Sequence, residues 1–496
     1  MYLRAGVFSL GLLLLSRVLG LLRESMQAAA FGSTGIGDAV IVMFTLPDLL
    51  VGILLSGALS YVLVPAWARQ SVSENNASQK KIARVLLCAG LVLSLAVWAF
   101  RDVVVQALAP GLSGDMKVMS AASLAWSAAV LPLAMLAALW VTRLQHERDF
   151  VGMYAGNLIV NLLLVAALFA VAKQIFAGSV MLVLGVFLVL AMLTRLAWLA
   201  WRLPHNASLP PIAAPAGVLP KATVWVWAAL SSGLLLVLPL VARSLASQAG
   251  EGALASFNYA WKLIELPLVL AVQLVASLAF PAITRTEAGT PARDQALEIA
   301  FLLAWALACA AVAIVATFSL PLTTLLFGWG RMSTADLEVI AQWGAIGVWS
   351  LLPQALIAVL LTVLAMSQRM HLAVWAYAGG LSLLLLLGAT GVSSGAATMW
   401  ALNAVLAGVA LVLMVAERRS VKRAFPWFAC LLPLLAGVAL IWLKPLFAGL
   451  SVPLTMILCG VYGFLVVGSA VLASPILRGL LLARLRRLPP AIKPQA

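Results

Sequence analysis

The chain has 496 residues, 64% of them hydrophobic and 9% charged, whereas soluble domains carry about 25% charged residues. A water-soluble fold could not hide so much apolar surface, so the bilayer is the natural solvent, with roughly 20 apolar residues needed per span. The net charge of +15 does not mark a nucleic-acid binder, because the basic residues form no single face and no aromatic-interleaved patch. They sit in short loops between apolar runs, as topology determinants do.

The opening stretch MYLRAGVFSLGLLLLSRVLGLLRES starts like a signal peptide. It lacks a small-x-small cleavage site after its apolar core, which predicts a retained first helix. Apolar runs follow in chain order at 5–30, 40–65, 83–109, 121–143, 154–173, 178–201, 222–243, 253–284, 296–318, 338–366, 371–392, 394–416, 424–445 and 451–474, fourteen in all. Lipid offers no partner for an open backbone, so each run is expected to be a helix. The Pro- and Ala-rich segment LPHNASLPPIAAPAGVLPK (203–221) reads as an extended cytoplasmic linker. Six spans precede it, six follow before the basic cluster ERRSVKR (417–423), and two come after. The expected fold is an all-α polytopic membrane protein. Its parts are a six-helix bundle at 1–202, a second at 222–416, and two extra helices with a basic cytoplasmic tail at 417–496.

The basic residues test the count. With both termini cytoplasmic, 21 of the 31 Lys and Arg fall on the cytoplasmic side, six on the far side, and four, Arg17, Arg23, Arg195 and Lys262, lie within spans. An odd number of spans would spoil that bias.

The cysteines (Cys88, Cys309, Cys430, Cys459) lie in apolar runs without CxxC spacing and read as small buried hydrophobes. No two of His146, His205 and His371 stand at ligand spacing, so no metal site is expected. The chain has no GxxxxGK[ST], GxSxG or HExxH motif and no soluble domain to hold a catalytic site, which predicts a protein that is not an enzyme. Transport would then draw on membrane potential, a proton or sodium ion, a substrate gradient or downstream consumption.

Charge within a span is costly and marks function. Arg17 and Arg23 share the first span with Glu24. They are expected to face a central cavity, where planar guanidinium forks match phosphate oxygens, or to be spent on structural pairs with Glu24 or Asp38 or on snorkelling to an interface. Lys262 and Glu265, three apart in YAWKLIELP, either neutralise one another or lend Lys262 to the same anion site. Arg195 is expected to snorkel to the cytoplasmic surface. Asp48 follows the kinking Pro47 and could bind a proton or sodium ion, pair with Arg17 or Arg23, or cap a broken half-helix. Asn157, Asn161, Asn258, Gln273 and Gln354 are expected to hydrogen-bond between helices.

SRVLGLLRE (16–24), AAAFGSTGIGDAV (28–40) and FTLPDLLVGILLSGALSYVLVP (44–65) closely resemble the opening of the MurJ/MviN flippases, members of the multidrug/oligosaccharidyl-lipid/polysaccharide exporter superfamily. NYAWKLIELPLVLAVQLVASLAFPAI (258–283), LFGWGRMSTAD (326–336) and LLTVLAMSQRM (360–370) resemble later parts, so the likeness runs over roughly residues 1–420. It implies two six-helix bundles around a V-shaped cavity, a lipid groove formed by the two C-terminal helices, and export of lipid II by alternating access. Its cavity arginines fall on Arg17 and Arg23, and its acid after the first loop on Asp38. Its later basic and acidic pair falls on Lys262, where the family has Arg, and Glu265. The second helix departs from the pattern: Val51 and Gly52 replace a basic pair, Ser56 replaces an acid, and Asp48 stands where the family has Asn. The expected partner is therefore an undecaprenyl-pyrophosphate-linked glycan in the bacterial inner membrane, lipid II first, handled by a monomer. The alternatives are an exopolysaccharide precursor and, on the same scaffold, an ion-coupled multidrug antiporter.

Overall fold

The computed structural model describes residues 2–55, 59–176, 178–203, 220–278, 283, 286, 290–367, 369–391, 394–447 and 449–486. Helices follow one another throughout, with no strand among the described residues. They are α1 (Tyr2–Phe31), α2 (Gly35–Ile53), α3 (Leu59–Trp67), α4 (Val72–Ala99), α5 (Arg101–Leu108), α6 (Gly114–His146), α7 (Phe150–Ala172), α8 (Val180–Arg202), α9 (Ala222–Ala246) and α10 (Ala253–Leu278). Then come α11 (Pro291–Phe327), α12 (Thr334–Gly347), α13 (Leu351–Met366), α14 (Met370–Ala389), α15 (Gly395–Ala416), α16 (Arg418–Ala424), α17 (Trp427–Trp442), α18 (Val452–Ala473) and α19 (Pro475–Arg486).

Among the described residues, each of the fourteen apolar runs is mostly helix. Eleven segments among the described residues are long and apolar enough to cross a membrane. The number rises to at most 12 if α16 and α17, bent by 77°, form one span. The count of fourteen is not confirmed by this measure, although α1 and α10, of 30 and 26 residues, cover the first and eighth runs. Most of the linker, at 204–219, lies outside the described residues, as does Ser56.

Local chemistry sets the helix ends. Thr34 caps α2 by accepting the Gly37 N–H, Ser71 and Glu74 form a capping box on α4, and Asp149 caps α7 through the Gly152 N–H. Prolines inside helices (Pro47, Pro132, Pro239, Pro267) mark where backbone carbonyls lose their donors. In α11 the helical path breaks at Phe318 (φ −109°, ψ 26°), three residues before Pro321.

By its contacts the chain forms two compact units. One comprises Met1–Tyr259, Leu326–Ile340 and Tyr377–Ala401; the other comprises Ala260–Leu325, Ala341–Ala376 and Leu402–Ala496. The first is centred on an apolar core in which Val40, Met43, Val130, Leu164, Leu184 and Leu188 bring α2, α6, α7 and α8 together. The second holds a core of Cys309, Ala313, Phe318, Tyr462 and Val466. Bulky apolar side chains clothe the outside, such as Phe428 at 92% and Trp442 at 80% exposure. In water this would be an aggregating surface; in lipid it is the solvated one.

Candidate substrate-binding site

Four helices of the first unit meet around Arg23. Its Nη2 donates to Glu24 Oε1 at 2.9 Å and to Asp48 Oδ2 at 3.1 Å. Glu24 Oε2 accepts from Asn258 Nδ2 at 2.9 Å, and Asn258 Oδ1 accepts from Arg243 Nη1 at 2.8 Å. Arg243 Nη2 donates to Thr45 Oγ1 at 2.7 Å, and Thr45 lies three residues before Asp48 on α2. The hydrogen bonds thus form a ring through α2, α1, α10 and α9. The spacing of Thr45 and Asp48 closes it on one helix face. Such a ring satisfies groups that would be costly alone in a low-dielectric interior.

The ring does not exhaust Arg23. Both carboxylates draw on the same terminal nitrogen, and Nε has no partner. The guanidinium lies 5.7 Å from the centre of the Phe44 ring. Arg17, two turns earlier on α1, is exposed and makes no ion pair among the described residues, and its charge bears on Tyr154 of α7. Beside it, Asn157 Nδ2 donates to Ser16 Oγ at 2.7 Å. Asp48 is the open member, its side chain 54% exposed.

The remaining sequence-derived residues go elsewhere. Asp38, 1% exposed, is not a partner of either arginine. Its two oxygens accept the N–H groups of Gly252 (2.8 Å) and Ala255 (2.7 Å), the orphan donors where α10 begins. Glu251 returns the favour by accepting the Gly35 N–H at the start of α2 at 3.0 Å. Two helix N-termini thus cap one another with carboxylates, the sign their dipoles favour. Gly252 is required there: its φ is +79°, and a Cβ would run into the Ser33 carbonyl oxygen. The same seam includes Gly111 N–H to Ser247 Oγ (3.1 Å), Ser244 Oγ to the Ala107 carbonyl (2.6 Å) and Arg331 N–H to the Ala29 carbonyl (2.9 Å). All of these lie at or next to loops that the charge bias assigns to the far side.

Lys262 and Glu265 lie in the second unit and pair at 2.7 Å. Asn157 and Asn258 join helices as expected, whereas Gln354 Nε2 bonds Ser350 Oγ four residues back.

Sequence reasoning missed two arginines. Arg243, at the end of the run 222–243 and one of the six basic residues counted on the far side, is the α9 member of the ring. Arg195 does not snorkel: it is 3% exposed, with its stem laid across Gly156 of α7, where a Cβ would stand 3.6 Å from its Cγ. The signal was present in the spacing, since Arg195 lies seven residues before the end of α8 and a glycine opens α7 to receive it. Among the described residues no group of three or more His, Cys, Asp or Glu could hold a metal ion.

A helical membrane protein with a half-buried, ion-paired arginine and a second, exposed arginine in its first span has the make-up of a polytopic transporter. Solved structures share its fold. The chain is similar to a lipid II flippase MurJ in an inward closed conformation, with TM-score 0.77 and 15% identity over 97% of this chain and 100% of that one. It is similar also to an inward-facing multidrug resistance MATE family transporter of the MOP superfamily, with TM-score 0.63 and 13% identity over 87% and 96%. The family model described as lipid II flippase MurJ matches residues 27–462, and the chain belongs to that family. Among curated relatives, the lipid II flippase MurJ of Burkholderia cenocepacia is 27% identical over 350 residues, 67% of each chain. The probable lipid II flippase MurJ of Rhizobium meliloti is 27% identical over 348 residues, 66% of this chain and 63% of that one.

Proposed function

We propose that this chain carries lipid II, the undecaprenyl-pyrophosphate-linked peptidoglycan precursor, from the cytoplasmic to the periplasmic leaflet of the bacterial inner membrane by alternating access. It does so as a monomer with both termini in the cytoplasm. Arg17 and Arg23 hold the pyrophosphate while the polyprenyl tail stays in lipid. Lys262, paired with Glu265, is a separate cation of the second unit that an anionic head group can engage. Asp48 sets how firmly Arg23 is held between loads, and the Asp38 seam keeps the far-side helix ends together while the cytoplasmic side loads. Movement draws on the membrane potential or on a proton or sodium gradient.

The observation that carries this reading is the half-spent guanidinium of Arg23. One nitrogen is held by two carboxylates and Nε has no partner, in a chain of the lipid II flippase family. A guanidinium held by neighbouring carboxylates gives up little further side-chain freedom on binding, and its planar fork matches phosphate oxygens.

The test is complementation of a strain depleted of its own lipid II flippase. The wild-type chain should restore growth and the appearance of lipid II in the outer leaflet. Arg17→Ala/Arg23→Ala should reach the membrane in normal amount and restore neither. Full rescue by the double variant would remove the proposed site, and failure of the wild-type chain would remove lipid II as the substrate.

A further inference from the structure

The basic cluster ERRSVKR is more than a topology signal. It folds into α16, and its side chains sort by helical spacing. Glu417, Val421 and Ala424 stand one turn apart on one face and are buried. Arg418, Arg419, Lys422 and Arg423 share the other face, and all are exposed. The buried face is pinned. Glu417, the one acid of the cluster, accepts from Arg369 Nη1 at 2.9 Å and is thereby turned inward. Phe425, just past the helix, meets Phe301 of α11 edge-on at 5.3 Å and Trp427 at 4.5 Å. Trp305 Nε1 donates to the Cys430 carbonyl at 2.9 Å, which fixes the start of α17 to the same helix.

α16 is bent by 77° from α17. Because α17 is apolar and reads as a span, α16 lies nearer the membrane plane than its normal, as interfacial helices do. Trp427 and Phe428 follow directly and are exposed, and tryptophan gathers at the boundary between head groups and tails. Other arginines on the side that the charge bias assigns to the cytoplasm have acids: Arg143 has Glu147 at 2.9 Å, and Arg202 has Asp149 at 2.7 Å. Among the described residues no carboxylate lies within ion-pairing distance of any of the four α16 cations. A fixed row of uncompensated cations at the water boundary attracts the anionic lipids of the adjoining leaflet.

We propose that the outer face of α16 is a docking surface for anionic phospholipid head groups of the cytoplasmic leaflet. Phosphodiester oxygens take the place of the missing carboxylates, while Trp427 and Phe428 enter the acyl region below. A soluble acidic partner would satisfy the cations but leave the adjoining aromatics unexplained; a lipid supplies charge and apolar surface together. The surface belongs to the second unit and shares no residue with the Arg17 and Arg23 site. The inference rests on the cytoplasmic placement of this loop, not on the identity of the transported lipid.

The test uses the full-length chain in mild detergent, mixed with equal amounts of phosphatidylglycerol and phosphatidylcholine carrying the same acyl chains. Native mass spectrometry reads the ratio of the two lipids retained. Wild type should favour phosphatidylglycerol about fivefold or more, and Arg418→Gln/Arg419→Gln/Lys422→Gln/Arg423→Gln should lower that ratio about threefold or more. The pairwise variant Arg419→Gln/Arg423→Gln should fall between, which keeps the test valid should the fourfold variant melt early. The control Arg69→Gln/Lys80→Gln/Lys81→Gln/Arg84→Gln removes as many exposed cations from the first unit and should keep the wild-type ratio. No preference in wild type, an unchanged ratio in both α16 variants, or an equal fall in the control overturns the docking surface. Sidedness is read separately, in a chain whose native cysteines are replaced by alanine. Ser420→Cys should react with an impermeant maleimide in inside-out vesicles and not in intact spheroplasts; the reverse overturns the cytoplasmic leaflet. The Arg17/Arg23 complementation test leaves all of these cations in place, so the two readings fail separately.

Discussion

The ring around Arg23 and the apolar core of the second unit solve the same problem with opposite materials. In the second core Phe318, Phe447 and Tyr462 meet in edge-on pairs at 5.1 to 6.0 Å, and the Tyr462 hydroxyl donates to the Leu440 carbonyl at 3.0 Å. That region joins α11, α17 and α18 through apolar side chains. Lipid tails are as apolar as leucine, so helix association in a bilayer relies on close packing and a few hydrogen bonds. In that core shape suffices, whereas around Arg23 charged and polar side chains join α1, α2, α9 and α10.

The largest expected effect follows from that contrast. Arg23→Ala removes a charge-assisted contact to the ligand, each worth about 1.5–3 kcal/mol, so transport should fall about 10- to 100-fold. Thermal stability in detergent should change little, because Glu24 retains Asn258 as a donor. A variant that transports normally but melts far earlier would reverse the assignment and make the ring structural.

Asp38→Ala should do the opposite. It strips both acceptors from the buried N–H groups of Gly252 and Ala255, at about 1–3 kcal/mol for each donor left unsatisfied. The melting temperature should drop, and the far-side ends of α2 and α10 should become accessible to thiol reagents at cysteines placed there. Asp38→Asn, which keeps one acceptor, should fall between. Unchanged melting in Asp38→Ala would show that water replaces the carboxylate at no cost.

The helices, their approximate ends and the charge bias were legible because the bilayer demands apolar runs of fixed length and closed backbones, and both leave marks in one dimension. Arg17, Arg23 and Asp48 were legible for the same reason, as charges inside such runs. What could not be read was the partner of each charge. Asp38 looked like a cavity acid, but its partners are backbone N–H groups more than 200 residues away, which carry no side-chain signature. Arg243 sat near the end of an apolar run and was counted as loop, since hydropathy cannot distinguish a terminal turn facing water from one facing Asn258. Arg195 was hidden because the slot that receives it is made by an absence, the missing side chain of Gly156.

In the second core a conservative change should be nearly silent. Tyr462→Phe removes one hydrogen bond to a helix carbonyl and keeps the aromatic contacts, costing about 0.5–1.5 kcal/mol. Transport by chains that reach the membrane should stay within twofold of wild type. A tenfold loss would place functional weight on the apolar region and break the contrast on which the site assignment leans.

The smallest expected effect lies outside the membrane-spanning segments, where a charge pair faces water. Asp149 caps α7 and takes two hydrogen bonds from Arg202, at 2.9 Å from Nε and 2.7 Å from Nη2. Burial pushes the Asp149 carboxyl up, but the Arg202 hydrogen bonds, the Gly152 N–H and the Arg202 charge together outweigh it, and the group rests below its ordinary value. A carboxyl held low in the folded chain stabilises the fold fully at pH above its ordinary titration range and loses that contribution as pH falls through the depressed value. The side chains are 19% and 33% exposed, so solvent screening limits the pair to about 1 kcal/mol or less. Asp149→Asn should therefore lower the melting temperature slightly at neutral pH and leave it equal to wild type in acid, where both side chains at position 149 are neutral. A difference that grew on acidification would mean that Asp149 is held above its ordinary value, and the bidentate clamp would then be too weak to offset its burial.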